Sequence, residues 1–441
     1  MKKTITILLI IICILFSNIY VYADDENEIL DEPIIEEQEK KEIETAASSD
    51  TKPTINSRRY AIYDRLSGRC LYGKDENKQT AMASTTKIMT SIIVVENCKL
   101  TDVVTITAKA AGTGGSRLGL KKDDKITVND LLYGLMLRSG NDAAVALAIH
   151  TAGSVEEFAK LMNQKAKLLG LKNTNFVTPH GLDNENHYTT AYELAKLTDY
   201  ALKNETIAKI VKTKSTSITI NNSPMQINNT NELLGNLEGV YGVKTGFTNN
   251  AGRCLVTSVK RDDMDLIIVV LGADTRKDRA KDSMKLIEYA YKRFRVVNVE
   301  EIIQKEFSLW RQINESRIYI NKAAGNLELE LGKITIPKTA TDNTPSIEIN
   351  TSTYLEAPVE KGQRIGTLIV KVGDEILEEI TINVAKEVKK RGIGEYFNII
   401  AKIYSGKIKI VDLGNNRYNL QWVWNALKLH IQRFFVSCCR T

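Results

Sequence analysis

Three textures of apolar and polar positions succeed one another along the chain. Lys2 and Lys3 precede an apolar run from Ile5 to Phe16, interrupted only by Thr6, and Val21-Tyr22-Ala23 then offers small residues at the spacing of a signal-peptidase site. This pattern predicts a signal peptide over 1–23 and a mature chain starting at Asp24; the run is shorter than the roughly 20 apolar residues of a comfortable membrane span. Residues 24–56 are acidic and poor in aromatics. Such a composition buries too little apolar surface to offset the entropy of ordering, so a flexible tether is expected there.

From residue 57 the pattern becomes periodic. Arg58 to Gly73 alternates as a hairpin does, with Ala61-Ile62-Tyr63 and Cys70-Leu71-Tyr72 flanking Ser67-Gly68. Apolar positions at helical spacing follow around 86–95, 128–150, 155–169 and 190–202, with Thr127 and Asn129 as capping candidates for the second. Strand-like runs then fall at 240–245, 253–260 and 265–272, before a helix over about 276–294. Strands at both ends of a helical block predict an α/β domain over 57–295 whose sheet joins sequence-distant segments. Beyond it, short alternating runs at 318–320, 327–331, 346–349 and 366–372, separated by Gly, Pro, Asp and Asn, predict a small β-rich domain over 296–385. Residues 386–441 form a basic tail with two amphipathic candidates: Glu395 to Tyr404, and a face made by Leu420, Val423, Trp424, Leu427, Ile431, Phe434 and Phe435 that suits a lipid interface.

Composition narrows the function classes. The 441 residues include 60 basic and 54 acidic side chains, a net charge of +6 without a basic stripe, which argues against nucleic acid as partner. Of six cysteines one lies in the leader, and the remaining five are an odd set without pairing rhythm. No C-x-x-C occurs and the four histidines are scattered, so neither a disulfide framework nor a metal site is expected. Cofactor chemistry is likewise not expected.

Three short signals carry candidate chemistry: Ser84-Thr85-Thr86-Lys87, Ser139-Gly140-Asn141 and Lys244-Thr245-Gly246. Ser84 and Lys87, three residues apart at the start of the apolar run Ile88 to Val95, share a helix face, so the lysine can reach the serine. A hydroxyl attacks well only when a base takes its proton, and a lysine withdrawn from water can serve as that base. Ser49-Asp50-Thr51-Lys52 has the same spelling but no apolar run behind it, so context and not spelling selects Ser84. Ser139 and Asn141 sit where one helical pattern breaks at Gly140 and another begins, a turn that either caps a helix or projects a hydroxyl and an amide into a cleft. Lys244-Thr245 ends a strand-like run, offering charge and hydroxyl to a carboxylate, while Gly246 admits a close backbone.

On these signals, together with Ala83 to Thr90, Arg138 to Ala144, Thr178-Pro179-His180-Gly181-Leu182-Asp183, His187 to Ala191 and Gly242 to Gly246, the chain resembles the low-molecular-mass penicillin-binding proteins of the D-alanyl-D-alanine carboxypeptidase type. The resemblance implies a β-lactamase-like transpeptidase fold, an antiparallel sheet flanked by helices with a helical subdomain, followed by a small all-β domain. It implies a substrate, the peptidoglycan stem peptide ending in D-Ala-D-Ala, and covalent inhibition by β-lactams. Ser84 would be the nucleophile, Lys87 its base and Ser139 a proton relay, with Lys244 helping to shuttle protons. Asn141, Lys244, Thr245, Gly246 and Arg279, with Arg276 the competing choice for the last, would bind substrate, and the backbone N–H groups of Ser84 and Phe247 would form an oxyanion hole. It also implies an extracytoplasmic location, peripheral on the membrane. His180 and His187 fall in structural loops on this reading. A serine β-lactamase and a non-catalytic β-lactam sensor are the competing readings; no clear Glu-x-x-x-Asn water-activating loop supports the first.

Overall fold

The computed structural model describes residues 35–47 and 51–404; the signal peptide, Ser49 with its copy of the serine-lysine spelling, and the second amphipathic candidate lie outside the described residues. The described residues fall into two compact units that divide between Val296 and Val297.

In the first unit, β1 (Arg59–Asp64), β2 (Cys70–Lys74), β3 (Val240–Thr248), β4 (Gly252–Arg261) and β5 (Met264–Ala273) form one antiparallel sheet in the order β2-β1-β5-β4-β3. β5 is buried at every position but Asp265, as an apolar run covered on both faces must be, and it pairs with β1 from Arg59↔Leu271 to Asp64↔Leu266. The sheet is therefore closed by the two ends of the domain, while β3, which carries Lys244-Thr245-Gly246, is left at the edge.

The inserted block contains α2 (Lys87–Asn97), α3 (Val128–Leu137), α4 (Asn141–Ala152), α5 (Val155–Leu168), α6 (Ala191–Leu202) and α7 (Glu205–Lys212). Positions 87–94 of α2 are all buried, the mark of a helix surrounded by others, and its Ile88, Met89, Ile92 and Ile93 sit in one apolar cluster with residues of α3 through α7. The single periodic stretch over 128–150 is two helices, α3 and α4, because the chain leaves helical geometry at Ser139 (φ +62°). Thr127 caps α3 by accepting from Asp130 N–H; Asn129 is inside the helix. A hairpin of Ser215–Ile220 and Ser223–Asn228 was not anticipated from the pattern.

α8 (Arg276–Arg293) packs on β4 and β5, and against it lies a helix where a tether was expected: α1 (Glu37–Ala46). Composition misleads here because α1 need not be stable alone. Glu39 pairs with Lys277 (3.2 Å) and with Lys281, Lys292 Nζ donates to the carbonyls of Glu44 and Ala47 (2.5 and 2.9 Å), and Ile43 is buried. The lysine at the carbonyl end of α1 also satisfies acceptors that a helix terminus leaves open.

The second unit contains a four-stranded antiparallel sheet, β6 (Leu329–Leu331), β7 (Ser346–Thr351), β8 (Arg364–Val372) and β9 (Glu375–Val384), in the order β6-β9-β8-β7. Its core joins Leu368, Val370, Ile380, Ile382 and Val384 to Val299, Ile303 and Phe307 of a preceding helix, α9 (Val299–Asn314), which the β pattern did not include. The first amphipathic candidate forms α10 (Ile393–Tyr404), with Ile393 and Phe397 exposed.

Candidate active site

The nucleophile candidate stands on a tight 3-10 turn, Ala83–Thr86, leading into α2. Ala83 takes φ +47°, a region that disfavours residues bearing a Cβ, and the turn is held by Thr85 Oγ1 donating to Met82 O (2.6 Å) and Thr86 Oγ1 donating to Ala83 O (2.8 Å). Lys87 Nζ lies 2.7 Å from Ser84 Oγ, 2.7 Å from Asn141 Oδ1 and 3.0 Å from His180 O, so an uncharged amine can donate to the last two and turn its lone pair to the serine. Lys87 is 0% exposed and Ser84 4%, so the pair meets out of bulk water.

Asn141 is tied at both ends of its amide. Oδ1 accepts from Lys87 and Nδ2 donates to Gly114 O (2.8 Å), which leaves one N–H of the amide. Beside it Asp142, to which the sequence assigns no role, is fully buried and accepts from the N–H groups of Leu118, Gly119 and Leu120 (2.8–3.0 Å), fixing the 118–120 loop. Ser139 is fully buried, and its Oγ has no hydrogen-bond partner among the described residues. A buried hydroxyl without a partner is costly, and its persistence here, on a left-handed backbone, is what a group awaiting a transient partner would show.

Gly246 brings β3 against the nucleophile turn. A Cβ there would fall 2.9 Å from Ser84 N and 3.2 Å from Thr85 N, so only glycine permits this approach. Lys244 is 1% exposed and donates to Thr245 O (3.0 Å); the Thr245 hydroxyl meets Thr230 Oγ1 at 2.6 Å, a contact that no spacing rule flagged. Phe247 stacks its ring on the Arg253 guanidinium, 3.9 Å from ring centroid to guanidinium carbon.

Arg279 departs from the expectation of an open carboxylate clamp. It is 0% exposed, and its Nε and Nη2 donate to both oxygens of Glu232 at 2.8–3.0 Å. Its charge is engaged by the segment preceding β3, where Asn231 Nδ2 also donates to Gly242 O (2.8 Å).

The two histidines are held as neutral rings. Burial lowers His187 to about 4, and burial with the charge of Lys87 and a smaller effect of His187 lowers His180 to about 3. His187 Nδ1 accepts from Val177 N–H (2.9 Å), which assigns the proton to Nε2 and makes it the donor to Thr86 Oγ1 (2.7 Å); that hydroxyl then donates to Ala83 O. Unfolded histidine takes up its proton near 6.5, folded His187 and His180 only near 4 and 3, so between those values unfolding binds protons and acid favours the unfolded chain. This stabilisation is full above pH 6.5 and is lost as pH falls through that window, by roughly 1.4 kcal/mol per pH unit for each ring. The melting temperature should fall from pH 6.5 to 4, and less steeply in His187→Gln; parallel pH profiles for the two proteins would refute the assignment.

A buried serine in hydrogen-bond contact with the lysine one turn on, a Ser-x-Asn turn beside it, and a Lys-Thr-Gly edge strand against the serine turn are the arrangement of the penicillin-binding class. The chain belongs to the D-alanyl-D-alanine carboxypeptidase family: the family model of that description matches residues 45–275, and a second, described as the penicillin-binding protein 5 C-terminal domain, matches 330–390. It is 36% identical to the D-alanyl-D-alanine carboxypeptidase DacF of Bacillus subtilis over 75% of this chain and 85% of the relative. It is also 36% identical to DacC of Escherichia coli, over 77% and 86%. Among solved structures it is similar to penicillin-binding protein 5 from Haemophilus influenzae (TM-score 0.62, 30% identity, 77% of this chain and 99% of that one). It is likewise similar to the D-alanyl-D-alanine carboxypeptidase DacD from Francisella tularensis (TM-score 0.63, 27% identity, 77% and 95%).

Proposed function

We propose that this serine D-Ala-D-Ala carboxypeptidase works by a two-step acyl transfer through Ser84. The single observation that carries this reading is the 2.7 Å contact from Lys87 Nζ to Ser84 Oγ in a site closed to bulk water. Ser84 Oγ attacks the penultimate D-alanine carbonyl carbon while its proton passes to the lone pair of an uncharged Lys87 amine, and Asn141 Oδ1 and His180 O are already placed to hold the resulting ammonium. The C–N bond then breaks, the departing D-alanine nitrogen takes a proton relayed through Ser139, and water releases the acyl group from Ser84. The backbone N–H groups of Ser84 and Phe247 receive the oxyanion, and Lys244 and Thr245 receive the terminal carboxylate.

The substrate is the stem peptide of peptidoglycan ending in D-Ala-D-Ala, β-lactams acylate Ser84 in its place, and the enzyme works outside the cytoplasm. A β-lactamase is not favoured. Peripheral attachment to a membrane surface through the C-terminal tail is supported by the exposed Ile393 and Phe397 of α10; no helix among the described residues is long and apolar enough to cross a membrane. The test is release of D-alanine from an acyl-D-Ala-D-Ala peptide, abolished by prior incubation with penicillin. Fast penicillin hydrolysis would point to the β-lactamase, and stable labelling without D-alanine release to the sensor.

A further inference from the structure

A groove of about 530 Å³ opens beside the Ser-x-Asn turn, lined by Gly115, Arg117, Gly119, Leu120, Lys121 and Arg138. Hydrogen bonds tie its lining loop to the Ser-x-Asn turn. Asn141 N donates to Ser116 O (2.7 Å), Asn141 Nδ2 to Gly114 O, and Asp142 collects the N–H groups of Leu118, Gly119 and Leu120. A Cβ on Gly115 would lie 2.4 Å from Asn141 Nδ2. Arg138 itself immediately precedes Ser139.

Among the described residues no carboxylate pairs with Arg117, Lys121 or Arg138. The nearby acids make other contacts, Asp142 and Asp124 with backbone N–H groups of the same loop and Asp123 with Lys122 at 3.8 Å. Three cations converging on one concavity at an enzyme's substrate path attract an anion and raise its local concentration.

Resting on the carboxypeptidase reading, we propose that this groove is a subsite for a carboxylate on the acyl side of the substrate peptide, upstream of D-Ala-D-Ala. On that reading the terminal carboxylate goes to Thr245 on β3, and the groove lies beside the Ser-x-Asn turn carrying Asn141, which the acyl side of the peptide would pass. An acidic peptide side group is the occupant that this direction of chain selects; an anionic wall polymer would have no reason to be aligned with the scissile bond.

The test compares two otherwise identical peptides, an acyl-γ-D-Glu-L-Lys-D-Ala-D-Ala carrying a free glutamate carboxylate and its amide, on the wild-type protein and on Arg117→Gln/Lys121→Gln. Contacts of this exposed kind change binding more than chemistry. The wild type should show a KM about fivefold lower for the carboxylate peptide with similar kcat. That advantage should vanish in the double variant, reverse in Arg117→Glu/Lys121→Glu, and shrink in the wild type at 0.5 M salt on the order of magnitude expected from screening. Equal KM values in the wild type, or a preference that survives the double variant, would overturn the subsite. So would binding of poly(glycerol phosphate) that depends on Arg117 and Lys121 while the two peptides remain indistinguishable. The wild-type comparison stands even where a variant folds poorly. Turnover of the amide peptide without any carboxylate preference overturns only the groove; no D-alanine from either peptide overturns the carboxypeptidase reading itself.

Discussion

Ser84→Ala is expected to lower D-alanine release by at least roughly 10⁴-fold and to abolish the covalent penicillin adduct seen by mass spectrometry. The reason is that Ser84 Oγ is both the acyl acceptor and the partner of Lys87 Nζ at 2.7 Å. Lys87→Gln should cost a similar factor, and the double substitution little more than either alone, because two groups that act as one unit do not contribute additively. The stabilities should diverge. Ser84→Ala removes one hydroxyl, whereas Lys87→Gln leaves Asn141 Oδ1 and His180 O buried with fewer donors, a loss of about 1–3 kcal/mol. D-alanine release that survives Ser84→Ala would exclude Ser84 as nucleophile, and a strictly multiplicative double variant would exclude Lys87 as its base.

The second large effect comes from a residue without functional chemistry. Gly181 has φ +89°, and a Cβ on it would sit 1.9 Å from Ala83 O and 2.6 Å from Thr86 Oγ1. Gly181→Ala must therefore push the 178–182 loop away from the turn that carries Ser84, and with it the His180 carbonyl that Lys87 uses. Loss of penicillin labelling and a destabilisation of about 3 kcal/mol or more are expected. Gly153→Ala is the control, since φ is again positive (+80°) but nothing lies within 4 Å; it should cost only the about 1–2 kcal/mol of the left-handed backbone and leave labelling intact. Equal effects of the two substitutions, by thermal melts and labelling, would mean that the Gly181 contact does not matter to the site.

How much of this was legible in the sequence depends on the kind of interaction. Ser84 and Lys87 were readable because their contact is local, one helical turn with an apolar run behind it. Asn141 was readable as a member of the site, yet its main partner was not, because a turn motif does not reveal that Lys87 lies 54 residues back in the same pocket. Arg279 was placed by its position in a pattern. Spacing carries no trace of Glu232, 47 residues earlier, which engages it. Thr230, Asp142 and the His180 carbonyl escaped for the same reason, since a common residue type or a backbone oxygen becomes specific only through its three-dimensional neighbours. The helix α1 was missed through a sound argument applied to the wrong system: an acidic segment is a poor independent folder, but Lys277, Lys281 and Lys292 of α8 complement it.

The pairing of β1 with β5 sets the order in which this enzyme can come into being. Arg59 meets Leu271, so the centre of the sheet waits for a partner more than two hundred residues downstream, and closing so long a loop must precede any reward from the contacts it makes. The nucleophile turn can form early, but the strand that presses Gly246 against it can dock only once the sheet is closed. Acyl-transfer capacity therefore arrives as a late, cooperative event of folding, and in a refolding time course penicillin labelling should lag behind the appearance of helical signal.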